Sequence, residues 1–161
     1  VDPGLLLFLQ RAEGMTPERM ERLLNEEAGL LGLSGTSGDM RALLEADDAD
    51  ARRAVDVYCY RARKYIGAYL AALGGADAIL FGGRGGGPAP GVRARMLSGL
   101  EGLGIALDDN ANRAAIGAEM CISARGSATA VWVVPVDEAA ILAEAAVAAA
   151  PEAVSVQEKK A

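Results

Sequence analysis

Apolar residues recur along this chain in two rhythms. From Val55 onward, Tyr58, Cys59, Ala62, Ile66, Tyr69, Leu70 and Leu73 return every three or four positions. That period lays one apolar stripe along a helix of some six turns. The acidic stretch Asp47 to Ala51 opens it and Gly74-Gly75 closes it. Shorter helices precede it. Asp2-Pro3 reads as an N-cap and first-turn proline for Gly4 to Gln10, with Glu13-Gly14 as the stop. Thr16-Pro17-Glu18-Arg19 opens a second helix, with Met20, Leu23 and Leu24 on one face, ending near Gly29. The segment LLGLSGTSGDMR, residues 30 to 41, is apolar at first and then breaks into Ser, Gly and Thr before Asp39 starts another helix. A loop followed by an N-cap accounts for Ser37, Gly38 and Asp39 without any ligand.

After Gly75 the rhythm changes. Ala78 to Phe81 is a short apolar run, and glycine holds positions 82, 83, 85, 86 and 87. Pro88-Ala89-Pro90 then precedes a helix over Val92 to Leu103. Gly104 to Leu107 is a short strand candidate. Cys121 to Ser123 and Thr129 to Val134 are two more strands about the turn Ala124 to Ser127. TAVWVV is β-branched and apolar on both faces, as an interior strand must be. Pro135 ends it, and Val136-Asp137-Glu138 opens an alanine-rich helix to about Ala150. Strands alternating with helices predict an α/β fold, in one globular body over residues 1–150. Residues 151–161 form a charged tail expected to be disordered.

Composition narrows the chemistry. The 161 residues are 52% hydrophobic but only 4% aromatic, so aliphatic side chains and close backbone packing must build the core. A net charge of −6 argues against a nucleic-acid partner, whose phosphates require clustered Lys and Arg. No apolar run reaches the ~18 residues of a membrane span, and no charged-then-apolar leader stands at the start; a cytoplasmic protein is expected. The sequence holds no histidine and two isolated cysteines, Cys59 and Cys121. A Ser-His-Asp triad, a histidine base and a structural zinc site are therefore excluded within it. Both cysteines are expected to be small buried hydrophobes.

Strand, glycine turn and helix N-terminus over DAILFGGRGGGPAPGVRARM, residues 77 to 96, is the build of a phosphate or nucleotide cradle, because backbone N–H groups and the helix dipole face the ligand. An ordinary tight connection has the same composition. No GxGxxG follows an early strand with an acidic residue ~20 positions later, which disfavours a Rossmann-type site. Taken together, VDPG, LLGLSGTSGDMR, VYCYRARKYIGAYLAALGG, GADAILFGGRGGG, SGLEGLGIALD and VVPVDEAAILA resemble acetate kinases, ATP-dependent kinases that form acyl phosphates, over residue 1 to about 148. The resemblance implies the C-terminal lobe of a ribonuclease H-like, actin-like ATPase fold, a mixed sheet flanked by helices. It further implies that the acetate pocket and the catalytic arginine, aspartate and histidine belong to an N-terminal lobe. The family's GTRSGD-type segment would lie just before Val1, so no catalytic residue is expected in this chain.

The same resemblance assigns nucleotide contacts to Asp39, Met40 and Arg41, where the family carries Asp-(Phe/Met)-Arg: Asp39 toward ribose hydroxyls, Arg41 toward adenine or phosphate. Arg84, Gly85, Gly86, Gly87 and Pro88 occupy the place of a GIGEN-like adenosine loop. Gly86 matches, whereas Arg84 replaces the first glycine and Gly87-Pro88 replaces a Glu-Asn pair. Glu138 falls on a magnesium-associated glutamate; read by itself it is a first-turn residue complementing a helix dipole. ATP or ADP, Mg2+, a short-chain carboxylate such as acetate, and a homodimer partner follow as expectations for the complete enzyme. The alternative is an orphaned nucleotide-binding or dimerisation domain that catalyses nothing, which the altered loop favours. Loss of two polar side chains from the loop is expected to weaken nucleotide binding by roughly 2–4 kcal/mol. Gly87→Glu with Pro88→Asn is expected to restore it.

Overall fold

The computed structural model describes residues 2–83, 87 and 89–149; the expected tail and Arg84, Gly85, Gly86 and Pro88 lie outside them. Contacts within the chain gather into two compact units, residues 1–75 and residues from 76 on.

The first unit is helical. Helix α1 (Pro3–Ala12) begins where Asp2 accepts a hydrogen bond from the Gly4 N–H at 2.7 Å, and α2 (Pro17–Arg22) where Thr16 accepts from Arg19. A π turn over Leu23–Glu27 continues α2, and α3 (Gly29–Ser34) and α4 (Met40–Glu45) follow. Helix α5 (Ala49–Leu73) is capped by Asp48, which accepts from the Ala51 N–H. It packs on α3 and α4, burying Ala51, Ala54, Val55 and Cys59 with Met20 and Leu43. The apolar stripe expected along its whole length is buried only at its start: Tyr69 is 65% and Leu73 73% exposed. The cause is length. At 1.5 Å per residue, the six-residue α3 and α4 each span ~9 Å against ~37 Å for the 25-residue α5.

The second unit is built on a mixed three-stranded sheet of order β1-β3-β2, flanked by helices. Strands β1 (Ala78–Gly83) and β3 (Ala130–Pro135) run parallel, and β2 (Met120–Cys121) pairs antiparallel to β3. The interior position of β3 is as its sequence requires: Val131 and Val133 are fully buried. Between the strands lie α6 (Pro90–Leu97) and α7 (Asp109–Ala114), and α8 (Glu138–Ala149) follows β3.

Three expectations need correction here. The helix expected over Val92 to Leu103 stops at Leu97: Ser98 is extended and Gly99 takes φ +85°, a conformation side chains resist, before one 3-10 turn at Glu101–Leu103. Gly104 to Leu107 is not a strand. Its pairing is one isolated antiparallel bridge, Leu107 to Ser123, with Ala124 N donating to Ala106 O and Asp108 N to Ile122 O, while the Gly104 carbonyl accepts from the Ala128 and Thr129 N–H groups at a turn, so no strand extends through the segment. Cys121 is exposed on the sheet-edge strand β2, its Sγ 3.1 Å from the Ser123 hydroxyl, whose hydrogen bond holds the thiol below its ordinary value; Cys59 is buried as expected.

Ile122 is fully buried and Ile116 is 72% exposed. Ile122→Ala should therefore cost about 2–5 kcal/mol in urea unfolding, and Ile116→Ala under about 0.5 kcal/mol.

Candidate functional site

The parallel pairing of β1 with β3 brings two distant pieces of sequence to one edge. Gly83 and Pro135 are register partners at the carboxyl ends of their strands. Beyond Gly83 comes the glycine turn leading to α6, and beyond Pro135 come Val136, Asp137 and α8, whose first residue is Glu138. The Val136 N–H donates to the Gly83 carbonyl at 3.2 Å, fastening the two exits together. In open α/β sheets the crevice beyond the carboxyl ends of the strands is where ligands bind.

Gly87 folds back over the end of β1. A Cβ built on it would lie 2.6 Å from the Gly82 carbonyl oxygen and 3.4 Å from the Phe81 carbonyl carbon, and its φ is +77°. Position 87 therefore admits only glycine in this conformation. This overturns the expected restoration: Gly87→Glu would drive a side chain into the backbone of β1 and open the turn.

At the start of α8, Asp137 Oδ1 accepts from the Ala140 N–H at 3.1 Å and acts as the cap, which leaves the exposed Glu138 carboxylate facing solvent. Among the described residues no cluster of three metal-ligating side chains exists. Magnesium does not require one. It keeps several waters and is held by one or two carboxylates plus substrate phosphates, so the donor chemistry at Glu138 fits Mg2+ brought with a nucleotide.

Asp39, Met40 and Arg41 belong to the first unit, Gly87 and Glu138 to the second. Asp39 does cap α4: its Oδ1 accepts from Arg41 N at 2.7 Å and Ala42 N at 3.4 Å. That role uses one carboxylate oxygen and leaves the other for a ligand. Arg41 is exposed and Met40 half-buried. The loop before them is set by Ser34, a buried residue that sequence reasoning passed over. Its hydroxyl accepts from Thr36 N and Ser37 N, both at 3.2 Å, and donates to Ser37 O at 3.0 Å.

Arg93 was also missed. It is 2% exposed, with Nε donating to Asn112 Oδ1 at 2.9 Å and Nη2 donating to the carbonyls of Asn112 (2.7 Å) and Ala115 (3.0 Å). Burial pushes its guanidinium down from the ordinary value, though an arginine stays cationic throughout the working pH range. The available signal was its place beside Val92 and three residues before Met96, on the apolar face of α6.

The mixed three-stranded sheet flanked by helices is the actin-like ATPase fold, shared with structures of a phosphotransferase family. The crystal structure of the Porphyromonas gingivalis acetate kinase superposes with a TM-score of 0.82 at 38% identity, over 92% of this chain and 38% of that one. The Entamoeba histolytica acetate kinase gives 0.78 at 28% identity, over 91% and 39%. An acetate kinase of Solibacter usitatus (strain Ellin6076) is 45% identical over 147 residues, 89% of this chain and 36% of that protein. The profile of the acetokinase family matches residues 1–144, and the chain belongs to that family. It spans about 36% of the length of the curated relatives it matches.

Gly87→Ala should destabilise the chain by about 1–3 kcal/mol. Gly91, in α6 with open space where its Cβ would stand, should gain about 0.5–1 kcal/mol on replacement by Ala. Paired thermal melts of the two variants check the contrast.

Proposed function

We propose that residues 1–150 are the nucleotide-binding, C-terminal part of an acetate kinase, serving ATP + acetate = ADP + acetyl phosphate together with an N-terminal lobe and inactive without it. The observation that carries this reading is the register of β1 on β3, which sets Gly83 opposite Pro135 at the carboxyl ends of the two strands, with Glu138 three residues on, in a chain of the acetokinase family. In the reaction, an acetate oxygen attacks the γ-phosphorus, the bond to the bridging oxygen breaks, and ADP leaves with that electron pair. Such transfer is mostly positioning and charge stabilisation. Asp39 holds the ribose hydroxyls, Met40 and Arg41 hold the base or a phosphate, and residues Arg84, Gly85, Gly86, Gly87 and Pro88 line the adenosine with backbone in place of the Glu-Asn side chains. Glu138 would hold Mg2+ directly or through water, and the metal would supply charge neutralisation on the phosphates.

The short-chain carboxylate binds outside this chain in our reading, which places the protein in the cytoplasm, where ATP and acetate meet. No described helix is long and apolar enough to cross a membrane. The enforced glycine at 87 favours a second reading, a non-catalytic binding or dimerisation domain.

Calorimetric titration separates the two. The isolated chain should bind MgADP yet yield no hydroxamate-trapped acetyl phosphate from MgATP and acetate. Arg41→Ala should weaken MgADP roughly tenfold to hundredfold, the loss of one charge-assisted contact. Glu138→Gln should weaken MgADP but leave metal-free ADP unchanged. No binding by the unaltered chain would leave only the second reading, and acetyl phosphate above background would sink the claim of inactivity.

Homodimerisation is proposed through the α5 face bearing Tyr58, Tyr65 and Tyr69, which are 41%, 54% and 65% exposed. Sedimentation should give twice the chain mass at micromolar concentration, and a clean monomer would refute it.

A further inference from the structure

We infer that Arg93 and Asn112 are positioning residues that hold the start of α6 through the Pro90 carbonyl. The inference that this serves a ligand rests on the proposed reading of the nucleotide site. Helix α6 begins directly after the turn, and its N-cap residue, Ala89, offers no side chain to fix the entry. What fixes it comes from elsewhere in the chain: Asn112 Nδ2 donates to the carbonyl oxygen of Pro90, the first residue of α6, at 2.9 Å.

An asparagine amide can be reversed end for end, and only its partners decide which way it points. Arg93 decides it here. A guanidinium only donates, so Nε at 2.9 Å selects the amide oxygen and turns Nδ2 toward Pro90, a carbonyl that only accepts. The second arm of Arg93 donates to the Asn112 and Ala115 carbonyls at the end of α7. Those carbonyls have no partner inside the helix, and a cation at a helix C-terminus is favourable. One buried side chain therefore closes α7 and orients the residue that holds α6. Asn112 is itself 3% exposed, so water cannot readily substitute for either partner.

The two duties can be separated. Asn112→Asp keeps an acceptor for Arg93 Nε and adds an ion pair, but it sets a carboxylate oxygen against the Pro90 carbonyl, two acceptors with no proton between them. The fold should survive while the start of α6 is released. Hydrogen exchange on the full chain should show the Val92 and Arg93 amides, which donate to the Ala89 carbonyl at 2.9 and 3.1 Å, exchanging about tenfold faster, with Val131 and Val133 in β3 unchanged. MgADP affinity should fall about fivefold, the scale of one displaced hydrogen bond. A purely structural role would instead speed exchange across β3 as well. Arg93→Lys is the second variant: one ammonium nitrogen cannot stand both where Nε meets the Asn112 amide oxygen and where Nη2 meets the α7 carbonyls, so Asn112 is free to reverse and the same local acceleration is expected. Unchanged Val92 and position-93 amide exchange in either folded variant, or acceleration spread evenly through β3, overturns the inference. The reading of the site fails separately, when the unaltered chain binds no MgADP.

Discussion

The parallel register of β1 on β3, Ala78 opposite Ala130 through Gly83 opposite Pro135, is the constraint on which the second unit depends. A parallel pair cannot be joined by a hairpin, so the chain between the two strands must cross over; here α6, α7 and the short β2 occupy that crossover. The register is anchored at its start, where the buried Thr129 hydroxyl donates to the Ala76 carbonyl at 3.0 Å and the Ala130 N–H donates to Asp77 O at 2.9 Å. Because side chains alternate along a strand, a slip of one residue would turn Val131 and Val133 out of the core and bring Trp132 into it. The same slip would break the pairing of Gly83 with Pro135, so core burial enforces the alignment at the carboxyl ends of the two strands.

The parts of this architecture that periodic burial dictates were legible beforehand. TAVWVV as an interior strand, the acidic caps at Asp2, Asp39 and Asp48, and the strand leading into the glycines all follow from rules with local causes. The unreadable parts had causes at long range. Nothing near Gly104 says that its carbonyl will be claimed by the Ala128 and Thr129 amides rather than by a neighbouring strand. Nothing in the stripe on α5 says that its packing partners will be six residues long. Arg93 is the sharpest case. A cation next to Val92 and near Met96 reads as a solvated interruption of the apolar face until Asn112, nineteen positions later, supplies its acceptor.

At the site the legibility divides differently. The place of the glycine turn could be read from composition, but not which glycine is compulsory. Of the described glycines there, Gly82, Gly83 and Gly87, it is Gly87 whose Cβ would meet backbone at 2.6 Å. A comparison of motifs suggested that its missing carboxylate was a loss to be repaired. The geometry says instead that a side chain at position 87, in this conformation, would meet the backbone of β1.

Asp39 shows why cap and ligand readings need not compete. A carboxylate has two oxygens, and capping α4 engages Oδ1 with the Arg41 and Ala42 amides. The bonds that cap the helix also fix the direction of the free oxygen. They hold the backbone of Arg41 as well, so the exposed guanidinium starts from a helix end that is already ordered. Ser34, buried beneath the loop, ties down Thr36 and Ser37 by their amides, and the Ser37 hydroxyl in turn accepts from the Asp39 N–H at 3.0 Å. Hydrogen bonds thus run from the buried Ser34 hydroxyl through Ser37 and Asp39 to the Arg41 amide. The backbone of this short polar loop is thereby ordered during folding, so its conformational entropy is already lost before anything binds there.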